Sequence, residues 1–216
     1  MESRPDRLAQ FKDNYGPLGT SKINIVKAVN GKKTDLGEWQ HSPGALGCRL
    51  SHLNIYKEAL SKGYSRILVL EDDVVISKKT RPKLTKLIRY VNDDWDMIYL
   101  GGTHCLKPAE LSNGFLKLNN TLTTHAIAIN CRSLEKMIHK IENDKRWVDS
   151  VIGDMHQEMK VYGFKKALAW QRDGISDIAE VNARYKARWD DKLKSLIKSI
   201  LRPVYHFFRK QHKTQK

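Results

Sequence analysis

Apolar positions follow two rhythms along this chain, and each rhythm marks a kind of element. Ile67, Leu68, Val69 and Leu70 are four consecutive apolar residues, a run that suits a strand buried on both faces in a parallel sheet covered by helices. Residues 23–29 and 96–100 read as further short strands, closed by Asn30-Gly31 and by Gly101-Gly102-Thr103. Leu46, Leu50, Leu53, Tyr56, Ala59 and Leu60 recur mostly three or four apart and predict a helix over residues 45–61, stopped by Gly63. Leu84, Leu87, Ile88 and Val91 predict a second helix over 81–91, with Thr80 as its cap and Pro82 in its first turn. A short helix through Phe11, opened by Pro5-Asp6, is broken by Gly16-Pro17.

Residues 115–118 and 122–129 read as an antiparallel pair across Asn119-Asn120. Helices follow over 133–141, capped by Ser133, and over 148–162, stopped by Gly163; a last strand covers 165–170 and residues 171–181 are irregular. The strand–helix–strand order around residues 45–61 suits a right-handed parallel crossover. The expectation is an α/β fold with a mixed, mostly parallel sheet, as one domain over 1–181 and a tail over 182–216.

The tail has a rhythm of its own. Leu193, Leu196, Ile197, Ile200, Leu201 and Val204 form one stripe within a basic amphipathic helix over 184–201 and just beyond it. Lys192, Lys194, Lys198 and Arg202 flank the stripe, and Trp189, Tyr205, Phe207 and Phe208 add aromatics. This is the pattern of a helix lying on an anionic membrane surface, with docking on its own domain as the alternative.

The chain has 216 residues, 40% hydrophobic and 29% charged, as in an ordinary globular domain. No apolar run approaches the roughly 20 residues of a membrane span. Residues 1–13 are polar and do not read as a secretory signal, and Cys48, Cys105 and Cys131 are odd in number and widely spaced. A reduced, cytoplasmic setting is expected, with attachment to the inner face of a membrane through the tail. Net charge is +15, but residues 183–216 hold eleven Lys/Arg against two Asp/Glu and so carry +9 of it. The basic excess is an appendage rather than a cleft, so no nucleic-acid partner is expected.

The chemistry gathers after the apolar run 67–70. Glu71, Asp72 and Asp73 are three adjacent carboxylates, whose mutual repulsion a divalent cation with a taste for oxygen ligands, Mg²⁺ or Mn²⁺, would relieve. In an extended chain Glu71 and Asp73 share one face and Asp72 points away. Strand ends of this kind are where open α/β sheets bind ligands, although a solvated acidic turn reads the same way.

Gly47-Cys48-Arg49-Leu50-Ser51-His52, about twenty residues before Leu70-Glu71-Asp72-Asp73, resembles glycosyltransferase family 25. That family includes bacterial lipooligosaccharide galactosyltransferases and procollagen galactosyltransferases. Ser3-Arg4-Pro5-Asp6-Arg7, Ala28-Val29-Asn30-Gly31, Val148-Asp149 and Gln171 with Ser176-Asp177-Ile178 resemble further segments of it, so that the likeness runs over residues 3–180. The resemblance implies a GT-A fold and an inverting, Mn²⁺- or Mg²⁺-dependent transfer of a sugar, usually galactose, from a UDP-sugar to a glycan or lipid-linked glycan. The family's hydrophobic first strand normally precedes the arginine loop, and here Met1 lies inside that loop, so this chain is expected to lack that strand.

The resemblance implies roles for particular residues. Glu71 and Asp73 stand where a metal-binding Asp-x-Asp pair would, and Asp72 where ribose would lie. Arg4 and Arg7 face the diphosphate or fold back as surface charges. Asn30, Gly47, Ser51, Gly102 and Gln171 are candidates for donor contact. His52 contacts diphosphate or acceptor, or packs its helix. Cys48, His104 and His125 read as structural. Asp149 is the expected catalytic base, with Asp154 and Asp177 as rivals. Two other readings remain open at this point: a metal-dependent nuclease, and a non-catalytic membrane-peripheral homologue.

Overall fold

The structure is a computed structural model that describes residues 9, 11, 15–19, 23–172, 174–175 and 182–183. The central element is a six-stranded sheet. Its strands are β1 (Arg66–Leu70), β3 (Met97–Tyr99), β5 (Ala109–Glu110), β6 (Phe115–Lys117), β8 (Ala126–Asn130) and β9 (Val161–Phe164). They lie in the order β1-β8-β3-β9-β6-β5. Three small two-stranded pairs surround it: β2 (Val74–Ile76) with β10 (Ala169–Gln171), β4 (Thr103–His104) with β7 (Thr121–Leu122), and β11 (Gly174–Ile175) with β12 (Asn182–Ala183).

Side-chain alternation divides the core into two layers. Val69, Met97, Tyr99, Ile127, Ile129 and Val161 point to one face, where α1 (Pro43–Ser61), α3 (Leu134–Glu142) and α4 (Val148–Met155) cover them. Ile98, Leu100, Ala126, Ala128 and Phe164 point to the other, against α2 (Thr80–Tyr90), β2 and Trp95. A sheet that buries residues of both parities needs near-continuous apolar strands, and β8 reads Ala-Ile-Ala-Ile-Asn for this reason, small toward α2 and branched toward α1.

The sheet departs from the sequence expectation in its direction. Only β3 and β9 pair in parallel; β1–β8, β3–β8, β6–β9 and β5–β6 are all antiparallel. The fold is mixed α/β with a largely antiparallel sheet. Residues 23–29 form no strand: Ile25 and Val26 are exposed, Ile23 packs on the layer that holds α2, and Val29 is bonded to α1, so the expected crossover into β1 does not form. β1 itself is an edge strand among the described residues, bonded only to β8. Residues 115–118 and 122–129 do not pair with each other, because β6 joins β9 and β8 inserts between β1 and β3.

Element ends shift for local reasons. α1 starts at Pro43, since the Ser42 side chain caps Ala45 N–H at 3.2 Å. Thr80 lies inside α2 rather than capping it, and its buried hydroxyl donates to Leu168 O at 3.1 Å. Ser133 donates to Asp96 Oδ1 at 2.9 Å instead of capping α3. The helix expected over 148–162 stops at Met155; Gly163 is a strand residue, and a Cβ there would press on Leu118. Among the described residues no helix is long and apolar enough to cross a membrane. Ala9 and Phe11 are helical, whereas the tail helix expected over 184–201 lies outside the described residues.

Candidate functional site

The antiparallel register of β1 and β8 opposes Leu70 to Ala126, so the residue leaving β1 meets the residues entering β8. Glu71 N–H donates to His125 O at 2.9 Å, and Thr124 Oγ1 donates to Glu71 Oε1 at 2.7 Å. From α1, His52 Nε2 lies 3.6 Å from the same Oε1. The His52 ring is held on its other side by Tyr56, with Nδ1 3.1 Å from the hydroxyl. The His52 side chain is 5% exposed and that of Glu71 22%, so the carboxylate is largely withdrawn from solvent.

Burial acting alone would raise the Glu71 carboxyl. The neighbouring His52 imidazole, then Thr124 and His125, outweigh it and hold the group below its ordinary value. Burial pushes the Cys48 thiol well up, and the charges of Glu71, Asp149 and Asp73 push it further. Three carboxylates from two segments, the turn 71–74 and α4, therefore act on one sulfur. Asp149 is the second residue of α4, and its Oδ2 accepts Thr123 N–H at 3.2 Å. Thr123 is β-branched yet has φ 71°, and its hydroxyl is buried without a hydrogen-bond partner. Backbone strain of about 1–3 kcal/mol collects at sites where function requires it.

The six-residue stretch 47–52 serves several purposes at once. Gly47 lets the chain pass at a distance no side chain would permit: a Cβ there would lie 2.6 Å from Val29 O. Arg49 donates to Arg146 O at 3.1 Å and to Ile141 O, tying α1 to the end of α3. Ser51 accepts Val29 N–H at 2.9 Å and donates to Gly47 O at 2.6 Å. Cys48 and His52, one turn apart, face Glu71. Gly47 and Ser51, expected at a donor, are in this fold the seat of residues 29–31. Asn30 is exposed and its side chain accepts Lys32 N–H at 3.0 Å.

The remaining candidates divide. Residues 71–74 form a turn, with Val74 N–H donating to Glu71 O at 3.2 Å. Strand alternation therefore does not set the directions of Glu71, Asp72 and Asp73. Asp73 O accepts Arg172 N–H at 3.0 Å, and Gln171 pairs with Val74, so β10 runs beside the acidic turn. Gly102 follows β3, and a Cβ there would meet Thr121 Cγ2 at 2.6 Å. Asp154 is engaged elsewhere, accepting from Arg146 Nη1 at 2.7 Å and from Asn120 at 3.0 Å. Arg4, Arg7 and Asp177 lie outside the described residues. The basic residues Arg81, Lys86 and Arg89 line an open concavity on α2 that shares no residue with the carboxylate cluster, which is not how a nuclease surrounds its acids.

Sequence reading did not single out Thr123 and Thr124, and took Cys48 and His125 as structural. The triplet Thr123-Thr124-His125 immediately before the apolar run of β8 is the only sequence signal for them. It gains meaning once β8 is known to lie beside β1.

Comparison with known proteins gives these surroundings a relation. Residues 1–145 match the family described as "Glycosyltransferase family 25 (LPS biosynthesis protein)". The chain is 43% identical over 122 residues to "Probable inactive glycosyltransferase 25 family member 3" of Rattus norvegicus, covering 47% of this chain and 21% of that protein. It is 38% identical over 101 residues to "Procollagen galactosyltransferase 2" of Homo sapiens, covering 37% and 16%. With "Procollagen galactosyltransferase 1" of Danio rerio it shares 41% over 61 residues, 27% of this chain and 10% of that one. The chain thus spans about a fifth or less of the length of these curated relatives. The family match includes residues 47–73 and ends before α4.

Proposed function

The chain belongs to glycosyltransferase family 25, and from that premise we propose that it moves a sugar, galactose first among the candidates, from a UDP-sugar to a glycan or lipid-linked glycan acceptor with inversion, in a GT-A-like domain. The observation that carries this reading is the placing of Glu71 against His52 and Thr124 at the shared end of β1 and β8, with Asp73 in the same turn and Asp149 bonded to the N–H of the adjoining Thr123. The donor set fits a hard divalent ion, since carboxylate oxygens are what Mn²⁺ and Mg²⁺ prefer. Glu71 and Asp73 would hold it, and when bound it supplies positive charge to the departing diphosphate.

The chain's own groups do the rest. Thr124 fixes one oxygen of Glu71, and His52, steadied by Tyr56, stands 3.6 Å from that oxygen. Asp149 takes the proton of the acceptor hydroxyl; the Thr123 N–H orients one of its oxygens and leaves the other for that proton. Asp154 is the weaker candidate because Arg146 already neutralises it. Arg4, Arg7, Asp72, Gln171 and Asp177 belong to the donor and acceptor surroundings in this proposal. Asn30, Gly47, Ser51 and Gly102 act at one remove, by shaping the backbone around the site.

The test is a panel of UDP-sugars with and without Mn²⁺, run on the wild type and two variants. Asp149→Asn is expected to lose transfer by roughly 10²–10⁴-fold with donor affinity nearly unchanged. Asp73→Asn is expected to lose Mn²⁺-dependent donor binding and transfer together. Near wild-type transfer by Asp149→Asn would remove the base from that residue. A second reading, a family member that retains the fold without transfer, is favoured by the relative named as probably inactive; failure of the wild type to bind UDP at millimolar concentration selects it.

A further inference from the structure

Cys48 and His52 project from one face of α1 at i and i+4, and Glu71 meets them from the turn after β1. The sulfur, the imidazole nitrogen and the carboxylate oxygen all lie within 4.8 Å of one another. We infer that Cys48, His52 and Glu71 form a site for one thiophilic divalent cation of the zinc type, distinct in its ligands from an oxygen-only Mn²⁺ or Mg²⁺ site.

The geometry is close to what such an ion requires. With Zn–N and Zn–O near 2.0–2.1 Å and Zn–S near 2.3 Å, the ligand atoms of a tetrahedral site stand roughly 3.3–3.7 Å apart. His52 Nε2 and Glu71 Oε1 are already 3.6 Å apart, and the sulfur reaches its place by a change of about 1 Å, within a side-chain adjustment. Both other ligands are braced from behind, as metal ligands are. Tyr56 Oη holds His52 Nδ1, which leaves Nε2 for the ion, and Thr124 holds Glu71. The carboxylates of Asp73 and Asp149 act on the same sulfur and add negative potential. Binding releases the thiol proton to solvent and leaves the thiolate on the cation, so charge balances with no redox step. Three protein ligands leave a fourth position for water.

Soft and hard ions are separated by Cys48. Mg²⁺ gains nothing from sulfur, whereas zinc gains a thiolate. Glu71 belongs to both donor sets, so a zinc ion here takes an oxygen from the proposed Mn²⁺ site. Competition with Mn²⁺ therefore rests on the transferase reading; the cation site does not.

Cobalt is the probe, because a thiolate–Co²⁺ bond absorbs in the near ultraviolet and tetrahedral Co²⁺ absorbs in the visible. The full chain, reduced and without Mn²⁺, is titrated with Co²⁺. The expected result is a thiolate charge-transfer band saturating at one ion per chain, displaced by Zn²⁺, lost in Cys48→Ser and retained in Cys105→Ser. Glu71→Gln is expected to weaken Co²⁺ affinity at least 10-fold, with circular dichroism confirming that each variant is folded. No such band in the wild type, or an undiminished band in Cys48→Ser, overturns the site. In the transfer assay, Zn²⁺ should inhibit the Mn²⁺-supported wild type and inhibit Cys48→Ser at least 10-fold less potently; equal inhibition overturns the competition. Cobalt bound through Cys48 with no transfer upholds the cation site and sinks the transferase reading; transfer with no thiolate band does the reverse.

Discussion

His156 is 3% exposed, its Nε2 3.2 Å from the Tyr99 hydroxyl and its Nδ1 buried without a hydrogen-bond partner. Burial, and after it the charge of His104, lowers its pKa to about 4, against a smaller opposing pull from Asp154. An unfolded histidine titrates near 6.5. As pH falls, the unfolded chain therefore takes up this proton first. The stability associated with a neutral His156 is complete above about pH 6.5 and falls by about 1.4 kcal/mol per pH unit down to about pH 4. His104 and His125 are lowered by burial and add in the same direction. Glu71, Asp96 and Asp144 are held below their ordinary values, so their loss comes later, as pH falls through the carboxylate range. Urea midpoints between about pH 7 and 4.5 should fall steeply in the wild type and less steeply in His156→Gln. Equal slopes would assign the acid sensitivity to other groups.

At the level of elements, the seating of residues 29–31 on α1 decides where Cys48 and His52 come to rest. Gly31 and Gly47 make that seat: a Cβ at Gly31 would fall 1.7 Å from Pro43 O, and one at Gly47 2.6 Å from Val29 O and 2.9 Å from Gly31 N. These are backbone atoms and cannot swing aside. Gly47→Ala should gain about 1 kcal/mol in helix propensity and lose more by forcing the segment off the helix, since overpacking costs typically 1–3 kcal/mol. The expected outcome is a lower urea midpoint at unchanged helix content, with Val29 N–H losing Ser51 as acceptor and exchanging faster. A variant as stable as the wild type would show that the approach is looser than the geometry states. α1 and α2 were readable within a few residues, because their apolar spacing is a local property. The partner of each strand was not, since β6 and β8, close in sequence with only the short β7 between them, pair with other strands.

For the molecule as a whole, charge is the property that sets the tail apart. Residues 183–216 carry +9 of the net +15, and their apolar stripe with flanking lysines suits an anionic surface. We propose peripheral attachment of the transferase to the cytoplasmic face of a membrane, where a lipid-linked acceptor would lie within reach. Vesicles containing anionic lipid should sediment the full chain at low salt and release it at high salt, because screening shortens to about 8 Å near physiological ionic strength. Removal of residues 192–216 should abolish the binding. Equal sedimentation of the shortened chain would move the contact to another surface.

The sequence by itself determined the run of three carboxylates at 71–73 and the family. Residues 71–73 and the stretch 47–52 are contiguous, and a contiguous motif needs no knowledge of the fold. It also determined that apolar runs would be buried on two sides, because each strand residue must find an oily neighbour whichever face it takes. The direction of the sheet and the composition of the site came only from tertiary structure. Leu70 opposes Ala126 across 56 residues of chain, and that register brings Thr124 and His125 to Glu71. Asp149 reaches the same place because α4 packs beside β7 and lets Thr123 N–H find its carboxylate. Such long-range pairing is settled by the sum of many side-chain contacts and by loop closure, so no single stretch of residues carries it. A lone cysteine four residues before a histidine looks structural until the fold sets a carboxylate opposite both.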